Sequence, residues 1–221
     1  MDDWGSKSGR LYDEIRQSLQ SGLYAPGARI DLTALARQFH ASATPVRHAL
    51  YRLVGEGLVE DHARDGFFVP PVTEWLLRDL YGWVQDILIA ACDSIARSPR
   101  ISEWPTGSRR GNDTVLQTRE LFEEIALTNG SFYLTEAVRR ANARLEVVRK
   151  TEIQLLDDTP KELVSLHRLW RNQEMDALKA ALAAYHERRR HLVPRLVAAL
   201  GVKSHHGADW SRLPAAIACH S

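Results

Sequence analysis

Apolar residues at helical spacing define the beginning of the chain. Leu11, Ile15 and Leu19 recur every four residues, which predicts a first helix over 10–19. Turn residues follow, a short strand is predicted at 29–30, and Asp31 suits the N-cap of a second helix. The buried faces of the second and third helices are predicted to consist of Leu32, Leu35, Ala36 and Phe39, and of Val46, Ala49, Leu50 and Leu53.

The third predicted helix has clear signals at both ends. A break at 40–43 precedes it, and Ser42 or Thr44 can cap it. Pro45 lies in the first turn, where a proline is tolerated because the backbone N–H that it lacks has no partner there. The glycine-containing segment 55–57 ends the helix.

Two short β-like runs follow the third helix, at 58–60 and 66–69, around a polar loop that contains Arg64. The order is therefore helix, strand, helix, turn, helix and β-hairpin. This order is typical of a winged helix-turn-helix, in which the third helix enters the major groove of DNA. We predict such a domain over residues 1–72.

The pattern changes after residue 72, where helical periodicity replaces every strand signal. We predict five helices in this part, and read the segment 98–112, which is rich in Pro, Gly, Ser and Arg, as a loop. The helices are expected at about 73–97, 113–128, 131–157, 159–172 and 173–201. The predicted fold class is mainly α: an all-helical effector or dimerisation domain over 73–202 follows the winged domain, and 203–221 form an irregular tail.

Charge changes this picture only locally. The net charge is +1, and residues 1–73 carry eight Lys and Arg against nine Asp and Glu, so no global positive field attracts nucleic acid. Between Asp31 and Glu56, however, the chain has no acidic residue. That window contains the third helix and is a local surface on which an anion can bind.

The remaining composition excludes several classes of protein. No apolar run approaches the roughly 20 residues that cross a bilayer, and the polar start MDDWGSKSGR is not a signal peptide. Cys92 and Cys219 lie far apart without a CxxC spacing, which suits a reducing cytoplasm and argues against a cysteine zinc site. We therefore expect a cytoplasmic, nucleoid-associated protein without a membrane partner.

Polar side chains at the beginning of the third helix are the candidates for contact with double-stranded DNA. Ser42 and Thr44 can donate to phosphates beside the free N–H groups of the helix start. Arg47 can bind guanine through both of its terminal nitrogens or bind a phosphate. The full set of predicted DNA-binding residues is Ser42, Thr44, Arg47, His48, Arg52, Arg64 and Gly66.

The segment YAPGARIDLTALARQFHASATPVRHALYRLVGEGLVEDHARDGFFV, residues 24–69, resembles the GntR family of bacterial transcription regulators. The resemblance implies a ligand-responsive repressor that binds an operator as a homodimer. It also implies that the N-terminal end of the third helix enters the major groove and that the wing-tip glycine, Gly66, approaches the minor groove. Ala43 replaces an arginine that commonly reads a base in this family, so we expect an altered operator.

The helical half is similar to the FCD type of effector domain in the FadR-like branch, over most of 74–200. That resemblance implies a metal bound by an Asp and a His four residues apart and by two later histidines. Here Thr118 and Phe122 occupy the first two positions, and His167 and His186 correspond to the later two. Two histidines without a carboxylate form a poor divalent site, so we expect no metal cofactor.

The resemblance also implies an effector pocket among the helices. Its polar anchors are expected to be absent, since Val84 and Leu88 take the places of an Arg and a Glu, which would favour an apolar ligand or none. The candidate lining residues are Trp83, Phe122, Tyr133, His167, Trp170 and His186. Aromatic residues at helical spacing are also typical of a plain core.

Besides a ligand-responsive regulator, the sequence allows two other functions to be considered, an enzyme and a constitutive DNA-binding protein. An enzyme is disfavoured because the sequence contains no nucleophile elbow, P-loop, dinucleotide fingerprint or HExxH motif. A constitutive DNA-binding protein, whose helical domain only dimerises and binds no small-molecule effector, remains the alternative.

Overall fold

The computed structural model describes residues 3–97 and 113–202. The predicted loop 98–112 and tail 203–221 lie outside these ranges. Within the described residues the chain forms eight helices and three short strands, so the predicted mainly α fold class is confirmed. The helices are α1 (Asp3–Gln20), α2 (Leu32–Gln38), α3 (Ala43–Gly55), α4 (Glu74–Arg97), α5 (Thr114–Thr128), α6 (Phe132–Leu155), α7 (Thr159–Arg171) and α8 (Met175–Val202). The strands are β1 (Arg29–Ile30), β2 (Glu60–His62) and β3 (Gly66–Phe68).

The first three helices pack around one hydrophobic cluster. Asp31 caps α2 as predicted, because its carboxylate accepts hydrogen bonds from the backbone N–H groups of Thr33 and Ala34 at 2.8 and 3.1 Å. The helices bury the apolar faces that the periodicity indicated. The buried residues at the centre of this cluster include Leu11, Ile15, Leu19, Leu35, Val46, Leu50, Leu53 and Phe67.

The strands form one antiparallel sheet in the order β1-β3-β2. The predicted bounds of the strand at 58–60 were wrong, since β2 runs from Glu60 to His62. Leu58 instead ends α3: its N–H donates to the carbonyl of Leu53 at 2.9 Å, while the N–H of Gly57 donates to that of Val54. This pair of bonds is a Schellman motif, and Gly57 has the positive φ of +71° that the motif requires.

Helices α4 to α8 form the second hydrophobic cluster. Leu88, Phe122, Ile125, Val193 and Leu196 are fully buried within it. The long helix α8 contains Pro194, which has no N–H to donate to the carbonyl of Arg190. Arg78 on α4 satisfies that carbonyl instead, with its Nη1 donating at 2.8 Å. The proline is therefore compatible with an unbroken helix because a neighbouring helix supplies the missing donor.

Helix α6 joins the two clusters. Ala143 is buried among the residues of the first cluster, although α6 belongs to the helical bundle. Lys150 of the same helix donates from its Nζ to the carbonyl of Gln20, the last residue of α1, at 2.6 Å. Arg144 lies directly against Gly57, so close that a methyl group at residue 57 would overlap its guanidinium.

Candidate nucleic-acid interface and the buried helical centre

The N-terminal end of α3 is exposed and polar. Ser42, Thr44, Arg47 and His48 all lie on the surface, whereas Val46 between them is fully buried. Ser42 occupies the N-cap position in an extended conformation, yet its side chain does not cap the helix. Its hydroxyl is therefore not used to cap the helix, and an exposed helix start with free N–H groups is the kind of site that binds phosphate.

Arg52, one turn further along α3, is exposed but is engaged by a neighbouring helix. Its guanidinium lies over the ring of Tyr12 on α1, with 3.8 Å between Cζ and the ring centroid. Tyr12 also donates a hydrogen bond to Glu56, and burial raises the pKa of its hydroxyl to about 12, with the neighbouring Glu56 carboxylate as the second cause. Because the far end of α3 packs against α1, we expect Arg52 to contribute more to this packing than to DNA binding, and its predicted DNA contact stays a prediction.

The hairpin β2–β3 forms the predicted wing. Its turn is closed by the N–H of Asp65, which donates to the carbonyl of His62 at 2.9 Å. Gly66 has a φ of +90°, a left-handed conformation that favours glycine. Arg64 is exposed at the tip, but the exposed carboxylates of Asp61 and Asp65 flank it. The wing is therefore a weaker positive surface than the beginning of α3.

The side chain of His62, next to the wing turn, is held by the hairpin itself. Its Nε2 lies 3.1 Å from the carboxylate of Glu60, and its ring packs on that of Phe68 with the centroids 4.8 Å apart. Both contacts fix the imidazole on the sheet. His62 thus supports the wing.

The predicted effector-pocket residues do not all come together. Phe122, Trp170 and His186 are buried in the helical bundle, and His167 is partly buried on α7. Trp83 and Tyr133 were assigned wrongly, because their side chains are 43% and 85% exposed. Trp83 lies on the outer face of α4 and Tyr133 in the first turn of α6, so helical spacing alone gave no sign of which face was buried.

Thr118 and Phe122, at the first two positions that the resemblance assigns to metal ligands, are engaged within the helical bundle. Thr118 donates its hydroxyl to the carbonyl of Thr114 at 2.8 Å, and Phe122 stacks on His186 with the ring centroids 5.7 Å apart. Among residues 3–97 and 113–202, no three His, Cys, Asp or Glu side chains are grouped as a metal site requires. The absence of a bound metal stays a prediction.

Buried arginines contradict the expectation that the helical domain lacks polar anchors. Arg149 on α6 is only 3% exposed, and Arg189 on α8 is fully buried. Arg189 pairs with Glu152 at 2.8 Å and with Glu162 at 2.9 Å, and Tyr81 donates a hydrogen bond to the same Glu152. A signal did exist in the sequence: Arg149 and Glu152 fall on the stripe of α6 that contains Leu145.

No ion pair with a carboxylate is formed by Arg149 in the part of the chain that the structure describes. Its Nη2 donates to Oδ1 of Asn142 at 2.9 Å, and the Nδ2 of Asn142 lies 3.4 Å from the Glu123 carboxylate. Its guanidinium carbon lies 5.3 Å from the centroid of the Phe122 ring. The Nη1 atom is buried and makes no hydrogen bond to any residue that the structure describes. Within residues 3–97 and 113–202, the hydrogen-bond partner of this guanidinium is the neutral amide of Asn142.

His186 lies on the same aromatic ring as Arg149. Its Nδ1 is 2.8 Å from the carbonyl oxygen of Leu182, which can only accept, so Nδ1 carries the proton. Burial lowers the pKa of the imidazole to about 3, and the nearby Arg189 and Arg149 lower it further. The ring is therefore neutral and its Nε2 is an acceptor, which is buried without a hydrogen-bond partner in the described ranges.

No helix in the described part of the chain combines the length and the apolarity that crossing a membrane demands.

The family and sequence comparisons match the N-terminal part of the chain. Residues 7–69 match the family described as bacterial regulatory proteins, gntR family. Over 72 residues the chain is 31% identical to the HTH-type transcriptional regulator YdhC of Bacillus subtilis, and over 58 residues 43% identical to the Nta operon transcriptional regulator of Aminobacter aminovorans. These matches cover 33% and 26% of this chain. They span about a third of each relative's length, 32% and 28%.

Solved structures are similar over both halves. The crystal structure of a GntR transcriptional regulator from Rhodococcus sp. RHA1 covers 86% of this chain and 98% of its own, with a TM-score of 0.66 and 17% identity. E. coli McbR/YncC covers 86% and 97%, with a TM-score of 0.61 and 16% identity. At such identities the likeness establishes the fold. Residues 7–69 are thus similar to the gntR family of bacterial regulatory proteins, and the chain as a whole shares the fold of these two solved structures.

Proposed function

We propose that this protein regulates transcription by binding operator DNA through α3 and the wing, as a homodimer and as a ligand-responsive repressor. One observation carries the DNA-binding part: the exposed start of α3 presents Ser42, Thr44 and Arg47 in a window without any acidic residue. A helix of this kind fits the major groove, where an arginine can discriminate guanine through two hydrogen bonds.

The weakly charged wing shapes the expected mode of binding. Arg64 lies between Asp61 and Asp65, so few phosphate contacts come from the hairpin. Specific affinity would then depend on base contacts by Arg47 and on dimerisation, which doubles the number of contacts. At the position of Ala43, which is exposed, a methyl group can contact thymine but cannot hydrogen-bond guanine.

Selection of bound fragments from a random double-stranded library would test this function. We expect an enriched inverted repeat, bound with an affinity well above that for a scrambled duplex of the same length and salt concentration. Equal affinity for the selected and scrambled duplexes would contradict the proposal.

The ligand-responsive part rests on the centre around Phe122. Arg149 and His186 hold buried polar atoms there without partners in the described ranges, which is costly in a domain that serves only for dimerisation. Helix α6 carries Arg149 and also contacts α1 through Lys150, so a change at the centre can reach the DNA-binding domain.

The constitutive alternative makes a different prediction for the purified protein. A thermal-shift screen against small metabolites and metals should raise the melting temperature if the helical domain binds an effector. A flat response to the whole screen, with operator binding intact, would favour the domain that only dimerises.

A further inference from the structure

Tyr51 is an exposed aromatic residue on α3, outside the set of predicted DNA contacts. It is 50% exposed, whereas Val46 and Leu50 of the same helix are fully buried. An α-helix turns by about 100° per residue, so Tyr51 lies about 20° from Thr44 and about 40° from Arg47 around the helix axis. It therefore belongs to the same exposed face as the residues that the proposed function assigns to DNA.

The ring of Tyr51 is held against the wing. It meets the ring of Phe67 edge to face, with the centroids 5.2 Å apart and an angle of 76° between the planes. Phe67 is buried in β3, the middle strand of the sheet, where it pairs with Ile30 and Asp61. It directly follows Gly66 of the wing turn. Tyr51 thus occupies the junction between α3 and the wing.

The place of this junction determines which part of the DNA it meets. When α3 lies in the major groove, its N-terminal residues reach the base edges. Tyr51 lies about 6 Å further along the axis than Arg47, because a helix rises by about 1.5 Å per residue. The wing packs beside α3 at this point, so the DNA strand that borders the groove must pass the contact between Tyr51 and Phe67. That strand presents phosphates there, and not base edges.

A tyrosine is well suited to a phosphate at this place. Its hydroxyl is an uncharged donor, and tyrosine is one of the side chains that hydrogen-bond to phosphate oxygens in protein–DNA complexes. Packing against Phe67 already restricts the ring, so little further side-chain entropy is lost when the hydroxyl binds.

We propose that Tyr51 donates a hydrogen bond from its hydroxyl to a phosphate of the DNA strand that borders the major groove. This inference rests on the proposed DNA-binding function and adds a positioning residue to it. A phosphate contact carries no sequence information, so Tyr51 fixes the placement of α3 while Arg47 discriminates between bases.

The affinity of the full chain for the selected operator, measured by fluorescence anisotropy at several salt concentrations, tests the proposal. Tyr51→Phe removes the hydroxyl and keeps the ring on Phe67. We expect operator binding to weaken about tenfold or more, because a hydrogen bond to a charged acceptor is lost. The slope of log K against log salt concentration should stay the same, because an uncharged donor releases no counterion.

Chemically modified operators would identify the phosphate. In each duplex of a series, one phosphate of each half-site is replaced by an uncharged methylphosphonate. One modification should remove most of the difference between the unmodified protein and Tyr51→Phe, because the partner of the hydroxyl is then already altered. A double-mutant cycle of this kind isolates the contact from any general change in the variant.

Tyr133→Phe is the matched control. Tyr133 is 85% exposed on α6, and its ring also meets an aromatic neighbour edge to face, Phe132, with the centroids 5.6 Å apart. This variant should bind the operator like the unmodified protein. Urea unfolding would check that Tyr51→Phe and Tyr133→Phe are as stable as the unmodified chain.

Two results would overturn the proposal. Undiminished operator affinity of Tyr51→Phe would mean that the ring only covers Phe67. An equal relative loss on every methylphosphonate duplex would mean that the hydroxyl bonds to no single phosphate. Failure of the proposed function has a different signature, since the unmodified protein would then bind the selected and the scrambled duplex equally well.

Discussion

The guanidinium of Arg52 lies over the aromatic ring of Tyr12, 3.8 Å from its centroid. This contact packs the C-terminal end of α3 against α1. It gives Arg52 a different environment from Arg47, which lies on the same helix. Arg47 is exposed five residues earlier, beside the free N–H groups at the start of α3. Both side chains are exposed, but Arg52 also packs on an aromatic ring of α1.

Substitution of Arg47 and Arg52 should therefore have different effects. We expect Arg47→Ala to lower specific operator affinity by about 1–3 kcal/mol and to leave the fold intact. Arg52→Ala should lower the free energy of unfolding by about 1 kcal/mol, since a cation–π contact is lost, with little effect on affinity. Fluorescence anisotropy and urea unfolding measure the two effects. If Arg52→Ala weakened binding as much as Arg47→Ala, the recognition surface would extend along the whole helix.

Dimerisation is expected because one recognition helix makes few base contacts. Two copies related by a two-fold axis would contact both halves of an inverted repeat, and the helical domain is the expected contact between them. Light scattering at micromolar concentration should give twice the mass of the chain. A monomer that binds the operator with undiminished affinity would refute this expectation.

The helical domain is predicted to hold no tightly bound metal. Thr118 and Phe122 replace a carboxylate and an imidazole, and loss of a charged ligand weakens a divalent site by orders of magnitude. Elemental analysis of protein purified without chelator or metal-affinity resin should give substoichiometric zinc, nickel and manganese. A near-stoichiometric metal that disappears in the His167→Ala, His186→Ala double variant would show that a site survives.

Stability should fall as the pH is lowered from 7 to 5, because of His186. Burial depresses its pKa from 6.5 to about 3, so between these values the unfolded chain binds a proton that the folded chain does not. Above pH 6.5 both states hold a neutral imidazole and His186 has no effect on stability. Below it the unfolded state gains a proton, so the free energy of unfolding falls, by about 2 kcal/mol at pH 5. Urea unfolding at both pH values should show a smaller loss for His186→Gln. An identical loss in both proteins would mean that His186 is not buried as a neutral ring.

Gly57 should be sensitive to substitution because of its backbone. Its φ of +71° is strained for alanine, whereas the exposed guanidinium of Arg144, which a methyl group would overlap, can move aside. We expect Gly57→Ala to lower the free energy of unfolding by about 1–2 kcal/mol, as measured by urea unfolding. The loss should be nearly the same when Arg144 is also replaced by alanine, because the backbone strain remains. A loss that disappears in the Arg144→Ala background would show that the overlap, and not the backbone, sets the cost.

Much of the DNA-binding half follows from local sequence. The apolar spacing of Leu11, Ile15 and Leu19 gives a helix, and Asp31 caps the next one, because both effects act over a few residues. Residues 42–48 were predicted as the exposed recognition end, and they lie on the surface there, apart from Val46 and the half-buried Pro45. The start of β2 was missed because Leu58 is used by the motif that ends α3.

The helical half is different, since its important contacts join residues far apart in the chain. Helical periodicity gave five helices within a few residues of their bounds, but it treats Trp83 and Phe122 alike, and only packing exposes one and buries the other. The pairing of Arg189 with Glu152, across 37 positions of the chain, depends on how α6 and α8 meet. Local propensity is determined by near neighbours and could be predicted from the sequence, whereas burial of a charge depends on which helices surround it, and the tertiary structure alone decides that.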